Sequence, residues 1–281
     1  MSLLKHSVKD SLLVIQTVVN VAVPLALAAM EHAGLALILA PLQILMMLSC
    51  NNTSLHHHSH WETFTKKSVN RVYELFLSMA AATPLQVYRN AHLIHHKFVN
   101  DPPPSRDPIS VLSLGQDGQP ENLWQFCFKW TYRTNFVWIW ITGAGQHMPL
   151  ANLKALRREL IALAVFLVVL TLINPGYAAW WFFVICPAMQ FANAAWHYGE
   201  HWGAGHHRGD TTRDSVGIYN AWYNTLCFNS GLHQEHHHRP GVHWTQLPSI
   251  TQRLPSDRIT AKGMHVFNAP WLADLQKLVK L

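Results

Sequence analysis

Residues 11–30 read SLLVIQTVVNVAVPLALAAM, a stretch with no Asp, Glu, Lys or Arg. About 20 apolar residues in helical form cross a bilayer, because lipid offers no water to satisfy exposed backbone polar groups. The same absence of charge recurs over 34–50 (GLALILAPLQILMMLSC) and from 160 to 195, where Asn174-Pro175-Gly176 interrupts the run. The pattern predicts four spans, at about 11–30, 34–50, 158–174 and 177–195. They fold as two hairpins with tight turns at 31–34 and 174–177. No small-residue cleavage site separates the first span from the second, so the first is expected to remain in the mature chain.

Charge sets the expected orientation. The chain of 281 residues carries a formal net charge of +6. Its Lys and Arg lie at Lys5 and Lys9, between 51 and 158, and after 196, with none in the two short turns. By the positive-inside rule, both termini and both large polar segments are cytoplasmic. The expected fold is therefore an all-α integral membrane protein, one domain over 1–281, with four transmembrane helices in two hairpins beneath a cytoplasmic helical cap. The basic residues are scattered and no nucleic-acid motif frames them, so nucleic acid is excluded as a partner. Cys50, Cys127, Cys186 and Cys227 stand apart from one another. They support neither a disulfide framework nor a cysteine metal site.

Twenty residues are histidine, and their spacings are regular. In LHHHSH (55–60), His56 and His60 are four apart, on one helical face. His92, His95 and His96 (HLIHH) share a face, and His233, His236 and His237 (HQEHH) repeat the spacing. Asn193, His197 and His201 (NAAWHYGEH) step by four. One such pair arises easily on a solvated surface. Two copies of HxxHH with further i, i+4 pairs are different, because each group can aim several neutral imidazoles at one point. A zinc site takes three or four ligands. His56, His60, His92, His95, His96, His197, His201, His233, His236 and His237 exceed one metal's needs, so two metals are expected. His57, His58, His206, His207, His238 and His243 are read as rim residues or outer donors, and His6, His32 and His265 as incidental.

The segments HHHSHWETFTKKSVNR, PLQVYRNAHLIHHKFVNDP with RDP at 106–108, and NSGLHQEHHHRPGVHWTQLP resemble the three histidine boxes of the membrane fatty acid desaturase and hydroxylase superfamily. The resemblance covers about residues 45–250. It implies a non-haem di-iron centre (two Fe2+) that uses O2 as co-substrate. HYGEHWG (197–203) is similar to a motif of membrane alkane monooxygenases, which have Asn where this chain has His197. Two registers are open there: Asn193 with His197, or His197 with His201. The second keeps Glu200, His201 and Gly203 in place and is preferred. Outer-shell candidates are Asn193, Glu200 and Asp107, with Asp101 and Glu235 as further acids able to accept an imidazole N–H. No residue beyond the metal ligands is assigned a catalytic role.

Position limits the substrate. His56 and His197 follow their spans closely, so the metals are expected just above the cytoplasmic interface, within reach of a lipid-dissolved chain. The stretches 62–84 and 122–144 read as interfacial helices, and the second can wall an acyl tunnel or simply anchor the surface. The expected reaction is oxygen-dependent hydrogen removal from an unactivated C–H bond of a fatty acyl or other lipid-like chain. Desaturation leads, with hydroxylation or ketolation of a lipid, alkane or carotenoid as the alternative. A histidine-rich metal transporter is the remote one, because it needs ionisable residues within its spans. No electron-carrying domain is visible, so electrons are expected from an external ferredoxin, rubredoxin or cytochrome.

Overall fold

The computed structural model describes residues 2–101, 107, 109, 121–133, 150–202, 204 and 210–255. The described residues form helices α1 (Asp10–Ala29), α2 (Ala33–His60), α3 (Lys67–Ala80), α4 (Leu85–Phe98) and α5 (Leu123–Arg133). Then follow α6 (Leu150–Ile173), α7 (Pro175–His201), α8 (Ala221–Leu226), α9 (His233–His238) and α10 (Pro248–Thr251). Among the described residues the only β feature is an isolated bridge between Leu4 and Phe64.

Three of these helices are long and apolar enough to cross a membrane: α1, α2 and α7. The expected span at 158–174 lies in α6, a 24-residue helix. Its first half carries Lys154, Arg157, Arg158 and Glu159, and the uncharged remainder, 160–173, rises only about 21 Å. Helix ends also differ from the expected spans. Through its last turns α2 passes via a π-helical turn at Asn51–Leu55 into His56–His60. The π turn adds a residue to the helical repeat and so resets the face on which the histidines emerge. Another π turn, Trp181–Ile185, lies within α7.

The expected turns have clear local causes. Glu31 adopts a left-handed φ of 53°, ending α1, and His32 caps α2 by accepting the Leu35 N–H at 3.1 Å. Asn174 caps α7 by accepting the Tyr177 N–H at 2.9 Å, with Pro175 in the first turn, where its missing N–H costs nothing.

The chain divides into two compact units, one of residues 1–92 and 131–193, the other of 93–130 and 194–281. In the first unit α1 packs on α2, α3 and α6, and α3 packs on α6. Leu55, Phe64, Tyr73, Leu77, Ala81 and Leu85 form a buried apolar cluster there. Polar side chains join the apolar helices: Thr17 and the Tyr73 hydroxyl lie 3.0 Å apart, Gln16 accepts from Thr53 and Ser54, and Gln43 donates to Tyr177. Such bonds give helices specificity where lipid tails compete for apolar contact. Leu12, Ile15, Leu37, Ile38, Leu42 and Leu45 face outward, an apolar exterior that only lipid or another apolar surface would cover.

In the second unit α9 packs on α10, and Trp244, Leu247 and Ile250 are buried. Phe228 and Asn229 take left-handed φ values of 51° and 59° on the approach to α9. Gly231, two residues before His233, is required by space: a Cβ there would stand 2.6 Å from the Ile218 carbonyl oxygen. The expected interfacial helix over 62–84 is α3, preceded by a turn that Asn70 clamps by accepting from Phe64 N–H and donating to its carbonyl. Of the one expected over 122–144, residues 123–133 are α5 and 134–144 lie outside the described residues, as do Gly203, His206, His207 and His265.

Candidate metal centre

In the first unit, His56 and His60 end α2 and His92 lies on α4. Their ligand nitrogens lie within 4.8 Å of one another. The His60 and His92 Nε2 atoms are 2.8 Å apart, and the His56 and His92 rings meet edge to face at 4.5 Å. His58 turns the other way: its Nδ1 lies 2.9 Å from the Thr63 hydroxyl and its Nε2 3.7 Å from Glu74. Arg89 donates to the His58 carbonyl and to Glu74, tying the first box to α3 and α4. Burial alone would raise the Glu74 carboxyl, but His58 and Arg89 together hold it below the usual carboxylate range. His57 and His58, read from the sequence as rim residues or outer donors, are both buried, which is against a place on the rim.

The second unit gathers the other box residues. His95 Nε2 and His233 Nε2 each lie 3.2 Å from His201 Nε2. His96 and His236 bring their Nε2 atoms to 3.0 Å. The ligand nitrogens of His95, His197 and His201 lie within 4.8 Å of one another, and so do those of His201, His233 and His237. Metal–imidazole bonds of about 2.1 Å hold ligand atoms no more than about 4.2 Å apart, so a small contraction closes either group around an ion.

Their opposite nitrogens meet acceptors. His95 Nδ1 donates to Asp107 Oδ2 at 2.9 Å. His233 Nδ1 is 3.6 Å from Glu200, which also accepts from the Trp196 indole. His201 Nδ1 donates to the Asp214 backbone carbonyl at 3.1 Å, and His237 Nδ1 lies 3.6 Å from the Asp214 carboxylate. His197 is oriented oppositely. Its Nε2 donates to the Ile109 carbonyl at 3.0 Å, leaving the lone pair on Nδ1, and Trp130 stacks on its ring at 5.2 Å.

Asn193 lies in the first unit, where its carbonyl oxygen accepts from Asn51 and Asn52 beside the π turn. Glu235 accepts from the Tyr219 and Thr251 hydroxyls and so anchors α9 rather than an imidazole. Asp101 is buried at the end of α4. Sequence reading missed Asp214 and Trp130, since neither sits at a recognisable spacing from any box.

The donor set fits a divalent metal. Burial, reinforced by neighbouring imidazoles, holds His237 well below the usual imidazole range, in the neutral form that ligation requires. Neither of its nitrogens has a hydrogen-bond partner among the described residues, although it is 3 % exposed. Leaving a buried polar atom unpaired costs about 1–3 kcal/mol, and a metal on Nε2 would remove that penalty. Burial also pushes the Asp214 carboxyl up to about 7, a shift that a neighbouring dication would oppose.

Searches of curated proteins and of solved structures returned no match. A family model does match: fatty acid desaturase, over residues 30–266. That range includes every proposed histidine ligand and most of the chain. With its apolar helices and its clustered histidines, the chain belongs to the fatty acid desaturase family, within the membrane desaturase and hydroxylase superfamily.

Proposed function

We propose that the protein is an oxygen-dependent di-iron oxidoreductase acting on an unactivated C–H bond of a fatty acyl or other lipid-like chain, and that the reaction is desaturation. The ten histidines, His56, His60, His92, His95, His96, His197, His201, His233, His236 and His237, hold two Fe2+ ions. Asp107 and Glu200 orient ligand rings, and Asn193 braces the start of the first box through Asn51 and Asn52. The observation that carries this reading is that the histidines fall into groups, each with its imidazole nitrogens within 4.8 Å of one another, in a chain of this family.

Bound iron would supply oxygen activation and the oxidising power to remove hydrogen from carbon. The chain's part is to keep the imidazoles neutral, aim them and exclude water. Electrons come from a separate ferredoxin, rubredoxin or cytochrome on the cytoplasmic face, where both termini and the site lie. The apolar part of α6 serves as the fourth span of two hairpins, and both units act as one domain.

Hydroxylation or ketolation is the second reading, favoured by one observation. His197 stands beside His201 in the metal-binding group, in a segment resembling alkane monooxygenases. The purified protein should carry about two irons per chain and consume oxygen only with an added reductant. Lipid mass spectrometry of cells with and without the protein should show loss of two hydrogens for desaturation, or one added oxygen for hydroxylation. Stoichiometric zinc with full activity in the absence of oxygen would overturn the di-iron reading.

A further inference from the structure

Asp214 lies in no histidine box, yet it meets two of the proposed ligands. Its backbone carbonyl accepts from His201 Nδ1 at 3.1 Å, and its carboxylate stands 3.6 Å from His237 Nδ1. The same carbonyl accepts from the Asn100 carboxamide at 3.1 Å. Asn100 in turn donates its backbone N–H to Asp107 Oδ2 at 3.1 Å, the oxygen that takes His95 Nδ1 at 2.9 Å. Asn100 is fully buried and holds a left-handed φ of 54°, which asparagine tolerates better than most residues. All of these groups belong to the second unit. One buried network thus backs three histidines from three separate segments.

Nδ1 of His237 and Oδ1 of Asp214 face each other without hydrogen-bond partners among the described residues. A shift of about 0.8 Å would join them, since a charge-assisted N–H···O bond is about 2.8 Å long. An imidazole that donates from Nδ1 presents its lone pair at Nε2, where His201 already meets His95 and His233.

We propose that Asp214, linked through Asn100 to Asp107, is the positioning residue that fixes His201 and His237 as Nε2 donors to the metal. This rests on the metal-centre reading above. Asp214 touches no reacting atom in this scheme. It acts by holding two rings in one tautomer and direction before the metal arrives, which lowers the cost of assembling the site.

The test uses the full-length protein in detergent, stripped of metal and titrated anaerobically with Fe2+, and with Co2+ followed by its absorption. D214A, which removes the carboxylate facing His237 and keeps the backbone carbonyl that holds His201, is expected to bind about 10–100-fold more weakly than wild type, with D214N between them. N100G keeps the left-handed backbone and removes the carboxamide, and should lose affinity in the same direction by less. D210N, which changes an exposed carboxylate, should bind as wild type does.

Melting of the metal-free proteins separates positioning from a merely structural role. D214A removes a carboxylate whose Oδ1 has no hydrogen-bond partner among the described residues and which otherwise bonds the neighbouring Ser215, so the metal-free variant should melt close to wild type. Wild-type affinity in D214A would overturn the proposal. So would a metal-free D214A whose melting temperature falls in step with its affinity. Wild-type protein that binds neither ion would overturn the metal-centre reading itself, and the role of Asp214 with it.

Discussion

His95 Nδ1 lies 2.9 Å from Oδ2 of Asp107, with both side chains buried. The pair joins the middle histidine of the second box to the Asp of the trailing RDP. Asp107 also accepts backbone N–H groups of Asn100 and Ile109, so one carboxylate holds the ring and the backbone at both of these residues.

Replacing Asp107 with Ala should therefore act on metal and fold together. Iron affinity is expected to drop about 10–100-fold. Stability should fall by about 1–3 kcal/mol, because two buried N–H groups and an imidazole lose their acceptor. Chelator-chase kinetics read the first effect and thermal melting the second. An unchanged chase rate would show that His95 needs no anchor.

His201 and His197 should behave differently. His201 Nε2 lies at the meeting point of His95 and His233, whereas His197 spends its Nε2 on the Ile109 carbonyl. H201A should abolish activity and cost iron, while H197N should retain part of both. Metal analysis and oxygen consumption on the two variants decide this. A dead, iron-free H197N beside an active H201A would show the ligand register to be one turn off.

Glu159 is buried in α6 and accepts the backbone N–H of Gln86 at 2.9 Å, in the first turn of the helix that carries the second box. E159A should destabilise the protein by about 1–2 kcal/mol through loss of this cap. E159Q retains an acceptor oxygen and should melt closer to wild type. Equal melting of all three proteins would mean that water or another group replaces the cap without cost.

Orientation can be read with reporters. A fusion after Leu281 should behave as cytosolic, and one inserted near Glu31 should be exported. The reverse result would place the histidines outside and deprive them of a cytosolic electron donor.

The sequence by itself determined the helical period, the apolar runs and the histidine spacings. These are local properties: absence of charge over 11–30 and 34–50, Asn174-Pro175 as a helix start, and i, i+3, i+4 steps that put His95 and His96 on the face of His92. The family was legible for the same reason, since its boxes are contiguous in sequence.

Only tertiary structure decided what stands behind the clustered histidines. Asn100 and Asp214 are 114 residues apart and meet through one hydrogen bond. No spacing rule links either to a box. Local pattern likewise gave no sign of the π turn before His56, which answers to packing and side-chain bonding around Asn51 and Thr53. Ring direction follows the same rule. His197 and His201 are equivalent by helical spacing, yet their nitrogens point to different partners because Ile109 and Asp214 present carbonyls on different sides. Spacing decides which side chains can share a face, and the acceptors brought in from distant segments decide which nitrogen each ring offers.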